Sequence, residues 1–153
     1  MDLVTSSISR QNRYMKTTSE TKAYKGDDYI QSPQFEIKVA TKYLEPQSNP
    51  DNHQFVFSYT VTIINKSSSK AQLLRRHWII TDANGDTLEV RGDGVVGEKP
   101  WINPGQEYVY TSGTVLNEFM GCMHGSFTMC GTDGTEFEAP IPVFTLAQPD
   151  KLH

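Results

Sequence analysis

The chain reads as a succession of short stretches in which apolar and polar side chains alternate with a period of two, as in strands with one buried face. Phe35, Ile37 and Val39 alternate with Glu36 and Lys38, and Tyr43 continues their face. The pattern is clearest in the next stretch. There Phe55, Phe57, Tyr59, Val61 and Ile63 share one side, with Ser58, Thr60 and Thr62 on the other. This is a half-buried antiparallel pattern, unlike the continuous apolar runs of a parallel sheet. From Ala71 to Thr81 two sets compete for the inner face: Leu74, Arg76, Trp78 and Ile80 against Leu73, Arg75, His77 and Ile79. Trp78 is the best large anchor for a core, which turns Arg76 inward or toward a rim. A bulge near Arg75 and Arg76 resolves the conflict.

Turn signals separate these stretches. Pro46 to Asn52 and Asn65 to Lys70 are polar breaks, and Asp82-Ala-Asn-Gly-Asp86 reads as a hairpin in which Asn84-Gly85 favours left-handed angles. Pro104-Gly105 and Thr132-Asp-Gly134 make further turns. Between them the expected strands are Thr87 to Arg91, a stretch around Tyr108 and Tyr110, Val115 to Phe119, Gly121 to Gly131, and Phe137 to Leu146. Pro140 and Pro142 place the last at an edge or bulge, because neither can donate a ladder hydrogen bond. About seven to eight short antiparallel strands without a convincing helix predict an all-β sandwich, two sheets burying their apolar faces against each other. A small closed barrel is the structural alternative.

Composition refines this picture. A chain of 153 residues, 37% hydrophobic, has one main domain as its default. That domain is expected over residues 31–148, after a polar extension over 1–30 read as mobile, and before a short tail over 149–153. Charge is uneven. Residues 1–26 hold five Lys or Arg against Asp2 and Glu20, and the remainder holds nine basic against sixteen acidic residues. An acidic folded part argues against a broad nucleic-acid surface. No stretch is long and apolar enough to span a membrane, and the first residues lack a signal core, meeting Arg10 and Arg13 early. Two cysteines make no disulfide framework, so a reducing cytoplasm is the expected setting.

Candidate chemistry centres on Arg91-Gly-Asp-Gly-Val-Val-Gly-Glu-Lys99, which contains G-x-G-x-x-G at Gly92, Gly94 and Gly97. A dinucleotide fold needs a helix to open after that motif. Pro100 and Pro104 deny it the room, so glycine-permitted loop geometry explains the spacing better. Backbone N–H groups of such a loop can still cradle an anion. Arg75, Arg76 and His77 could clamp phosphate or carboxylate, and Arg91 and Lys99 flank the loop. The expected binding set is therefore Arg76, Arg91, Gly92, Gly94, Gly97 and Lys99. Cys122, His124 and Cys130 have weak zinc spacing: on one strand the two cysteines stand about 26 Å apart. His77 and His124 could offer open-sided ligands to a transient divalent cation; no cofactor is obligatory and no metal set is assigned. Ser112 with His124, or Asp93 with Glu98, contain catalytic atoms without a catalytic frame, so an enzyme is not favoured.

Taken together, Phe57-x-Tyr-Thr-Val-Thr-Ile63, Gln72-Leu-Leu-x-Arg-x-Trp-x-Ile-Thr-Asp82 and Gly92-x-Gly-Val-Val-Gly-x-x-Pro100 resemble the ApaG family. So do Pro104-Gly105, Tyr110-Thr-Ser-Gly113, Met123-x-Gly-x-Phe127 and Ile141-Pro-Val-Phe-x-Leu146; the resemblance runs from Pro33 to Leu146. It implies a fibronectin-III-like or immunoglobulin-like sandwich, a reusable protein-interaction module, and an association with cobalt and magnesium efflux that is indirect for a chain without a membrane segment. It also implies that a phosphate-rich ligand is worth considering. The expected partners are an unidentified protein, a phosphate-containing metabolite, or a second copy pairing through exposed strand edges.

Overall fold

The computed structural model describes residues 34–149, so the expected extension and nearly all of the expected tail lie outside it. Alternation becomes eight antiparallel strands: β1 (Phe35–Tyr43), β2 (Phe55–Asn65), β3 (Ala71–Asp82), β4 (Thr87–Asp93), β5 (Trp101–Ile102), β6 (Glu107–Leu116), β7 (Met120–Gly131) and β8 (Glu136–Ala147). One sheet has the order β1-β2-β6. The other has the order β4-β3-β7-β8, with β5 beside β4 along the same edge of β3. The result is an all-β sandwich of the fibronectin-III-like, immunoglobulin-like kind.

The inner faces meet around Trp78, which is fully buried. Tyr59 from the opposite sheet meets it edge-on at 5.5 Å between ring centroids, and Phe127 and Phe144 stand perpendicular to it at 6.3 and 5.8 Å. Such edge-to-face pairs suit aromatic quadrupoles and add to the area each ring removes from water. The ambiguous phase of β3 is settled by a register shift between Leu73 and Arg75, which leaves Leu74 as the extra residue. Before the bulge Ala71 and Leu73 are buried; after it Arg76, Trp78 and Ile80 are.

Three details differ from expectation. Val115 and Leu116 finish β6 rather than opening a new strand, and the chain bends at residues 117–119 before β7. In the 82–86 hairpin only Gly85 is left-handed, at φ 89°; Asn84 is not. Gly85 N donates to Asp82 O, and Asp82 Oδ1 accepts from Asn84 N and Asp86 N, so the loop is the three residues Ala83 to Gly85. Trp101-Ile102, between Pro100 and Pro104 where no strand was expected, pairs with Gln72 and Ala71 as β5. The edge character of β8 matches Pro140 and Pro142: it pairs with β7 alone, and its register shifts opposite His124.

Candidate functional site

Residues 94–100 are an excursion from one interrupted edge strand. β4 leaves β3 at Asp93, paired with Arg75, and β5 returns at Trp101, paired with Gln72. Gly94 N donates to the carbonyl of the bulge residue Leu74 at 2.7 Å, and Leu73 N donates to Pro100 O at 2.9 Å. The bulge therefore ties both feet of the excursion to β3. Between the feet Val95 and Glu98 exchange both backbone hydrogen bonds, at 2.8 and 2.9 Å, making a small hairpin whose tip is Val96-Gly97. Both tip residues are left-handed, at φ 47° and 80°. This is the paired left-handed turn that tight hairpins favour, and a β-branched residue occupies its first position against strong steric preference. Val95 is fully buried while Val96 is 56% exposed.

Arg76 holds this hairpin from beneath. It is buried, and its Nη1 donates to Asp93 O at 2.7 Å and to Gly94 O. Gly92 lies across the strand pair from it, and a Cβ there would sit 2.6 Å from Arg76 Nη2. Gly92 is thus the space in which the guanidinium lies. Gly94 has a different reason: at φ 62°, a Cβ would overlap the Glu98 carbonyl oxygen. Gly97 needs only its angle, since nothing lies within 4 Å of its missing Cβ.

The expected binding residues fall into two groups. Arg76, Gly92 and Gly94 are in mutual contact under the excursion, and Lys99 folds its Cγ to 3.3 Å from the missing Gly94 Cβ. Arg91 projects instead from the outer face of β4. It meets Glu89 at 2.6 Å and His77 Nδ1 at 3.4 Å, and His77 Nε2 also bonds Glu89. The His77 hydrogen bond is the main cause that holds the Glu89 carboxyl below its ordinary value, with Arg91 adding attraction. Arg75 pairs with Glu136 at 2.7 Å on the same face. A shallow depression of roughly 370 Å3 lies there, lined by Arg75, His77, Arg91, Thr128 and Glu138 and also by Arg76 and Gly92, which thus border both groups.

Inside the sandwich, burial pushes the Tyr110 phenol well above its ordinary value; neighbouring Tyr59 pushes the same way and Arg76 opposes both. Tyr108 is raised by burial and then by the Glu98 carboxylate. Cys122 and Cys130 are free thiols on the single unbroken strand β7. Among the described residues no three His, Cys, Asp or Glu side chains are grouped to hold a metal ion, and no helix is long and apolar enough to cross a membrane. Sequence reasoning missed Val96 and Trp101, the latter 47% exposed under the Lys70 ammonium at 5.1 Å. Each reads as core by composition. The β5 pairing that turns Trp101 outward carries no local signal.

Fold and site together define a β-sandwich domain that presents an arginine-braced hairpin on an interrupted sheet edge. A family model described as the ApaG domain matches residues 45–131. The protein called ApaG in Pseudomonas paraeruginosa is 57% identical over 120 residues, covering 78% of this chain and 95% of that one. Its namesake in Shewanella baltica is 53% identical over 117 residues, covering 76% and 93%. A crystal structure of a Bordetella pertussis protein described as ApaA superposes with a TM-score of 0.74 at 44% identity, over 76% of this chain and 95% of that one. The chain belongs to the ApaG family.

Proposed function

We propose that this protein is a non-enzymatic interaction module whose recognition surface is the hairpin of residues 94–99, linked indirectly to cobalt and magnesium homeostasis through its family. The observation that carries the reading is Val96: an apolar, β-branched side chain held exposed in a left-handed conformation at a tip braced from below by Arg76. Strain of this kind persists where the surroundings enforce it, and such positions cluster at binding sites. Arg76 shapes the surface; Val96, Glu98 and Lys99 present it. Crosslinking in cell extract tests this with Val96→Asn and Lys99→Glu, both exposed positions. A discrete partner set recovered by the wild-type chain should be lost with the variants. Identical sets from all three would place recognition elsewhere.

A second reading, an anion site for phosphate or a nucleotide polyphosphate with or without a transient divalent cation, draws on Arg91 and the depression beside it. The loop itself favours it less, since the N–H groups of Gly94, Val95 and Glu98 already donate to backbone carbonyls. Calorimetric titration of nucleotide polyphosphates, with and without magnesium or cobalt, separates the readings. Saturable binding abolished by Arg91→Ala would favour the anion site.

A further inference from the structure

A cavity of roughly 640 Å3 opens at the end of the sandwich where β1 begins, between the connection from β2 to β3 (residues 66–70) and the hairpin that joins β7 to β8 (residues 132–135). Its size falls within the ~300–1,000 Å3 typical of small-molecule sites. Phe35 and Phe137, near the starts of β1 and β8, line it from the two sheets. Their rings are half-buried and stand 5.8 Å apart between centroids. They give the cavity one apolar face, whereas its walls carry hydroxyl, amide and charged groups.

Both walls are fixed in place. Asn65, fully buried at the end of β2, commits its whole amide to the first. Its Nδ2 donates to the carbonyls of Ser69 and Ile102, both at 2.9 Å, and its Oδ1 accepts from Ser67 N at 2.8 Å and Ser67 Oγ at 2.7 Å. A side-chain amide has two donors and two acceptor positions, so none is left over. On the second wall Gly131 N donates to Thr135 O at 2.9 Å, and Asp133 Oδ1 accepts from Thr135 N at 2.9 Å. A rim held this way loses little freedom when a ligand enters. Exposed on it are the Ser68 and Thr132 hydroxyls, the Gln34 amide and the Asp133 carboxylate.

The charges at the rim decide against an ionic occupant. Lys66 Nζ is on Glu36 at 2.9 Å, and Lys70 Nζ lies over the Trp101 ring at 5.1 Å, so both ammonium groups have partners in the fold. A phosphate would have to draw them away and would then face Asp133. The basic stretch of residues 1–26 would in turn meet two ammonium groups beside that one carboxylate. What remains is an apolar face ringed by uncharged donors and acceptors, with a carboxylate that has acceptor positions beyond the one Thr135 takes. A saccharide carries the complement in one molecule: C–H faces that cover phenyl rings, and hydroxyls that both donate and accept. We infer that this cavity binds a neutral saccharide unit, at a site separate from the hairpin of residues 94–99 and independent of the reading of that hairpin as a partner surface.

Amide NMR of the full chain tests this, with the methyl glycosides of glucose, galactose, mannose and N-acetylglucosamine as probes. Expected is saturable movement of the Ser68 and Thr132 amides with at least one of them, at a Kd on the order of 1–10 mM. Ser68→Trp, which fills the cavity from an exposed position, should abolish the movement, and Asp133→Ala should weaken binding about tenfold. Val96→Asn, in the hairpin, should leave it unchanged. No movement with any glycoside up to about 100 mM, or movement that survives Ser68→Trp, would overturn the inference. So would movement with inorganic phosphate but with no glycoside, which would make the cavity an anion site. Nuclear Overhauser contacts from residues 1–26 to the same amides would assign it instead to the chain's own extension.

Discussion

The guanidinium of Arg76 and the absent side chain of Gly92 occupy one space, which makes their energetics inseparable. Replacing Gly92 by Ala must push the guanidinium off the carbonyls of Asp93 and Gly94. We expect a loss of about 1–3 kcal/mol for Gly92→Ala in denaturant unfolding, and a much smaller loss in an Arg76→Ala background, where the clash is gone. Additive losses would show that the two do not share the site. The other two glycines separate strain from collision. Gly94→Ala meets backbone and should cost well over the ~1–2 kcal/mol of left-handed strain that Gly97→Ala incurs in open space. Val96 already bears that strain, so Val96→Asn should raise stability by about 0.5–1 kcal/mol while weakening partner capture. A thermal melt beside the crosslinking experiment checks both halves.

Strands were legible in the sequence because burial on one face writes a period of two, and β2 shows it from Phe57 to Ile63. The bulge was legible only in part: Arg76 on the face of Trp78 called for an irregularity near Arg75 and Arg76, whereas the extra residue is Leu74 and Arg76 still faces inward with Trp78. Where an element's boundary depends on a distant partner, the signal fades. Gly113 looks like a stop between Tyr110 and Val115, yet β2 continues alongside and carries β6 through to Leu116. The role of Gly92 was hidden for the same reason, since the group that fills its place comes from the neighbouring strand. No propensity rule selects Val96 for a left-handed turn; the two bonds between Val95 and Glu98 impose it. The bulge also carries an expectation at this scale. Deleting Leu74 would leave Leu73 and Arg76 two positions apart, so Arg76, Trp78 and Ile80 keep the inner face of an unbulged β3 while Gly94 N loses its acceptor; circular dichroism should keep the native signal and unfolding should show a loss of about 1–3 kcal/mol.

For the whole molecule, pH acts from both sides. Lys66 holds the Glu36 carboxyl down, His77 that of Glu89, and the Thr135 backbone N–H that of Asp133. These groups bind fewer protons folded than unfolded. Their contribution is present above the ordinary values of 4.5 for glutamate and 3.8 for aspartate, and is lost as pH falls through the lower folded values. Tyr110 works in the opposite sense. Its raised phenol contributes below the ordinary value of 10.0 and that contribution is lost as pH rises through the folded one. Melting temperature should therefore fall at both extremes, and phenolate absorbance should show a late step well above the ordinary tyrosine range. A Tyr110→Phe variant should remove that late step. The arrangement of β4 and β5 has a consequence for what the scaffold tolerates. Both strands are anchored on β3, at Arg75 and at Gln72, and Gly94, Val95 and Pro100 complete the anchorage, so only the tip at residues 96–99 stands free of the sheet. Doubling that segment would add only about 0.6 kcal/mol of closure entropy. The tip is therefore open to exchange: foreign loops of varied length and sequence could be grafted between Val95 and Pro100 to give the same framework new specificities.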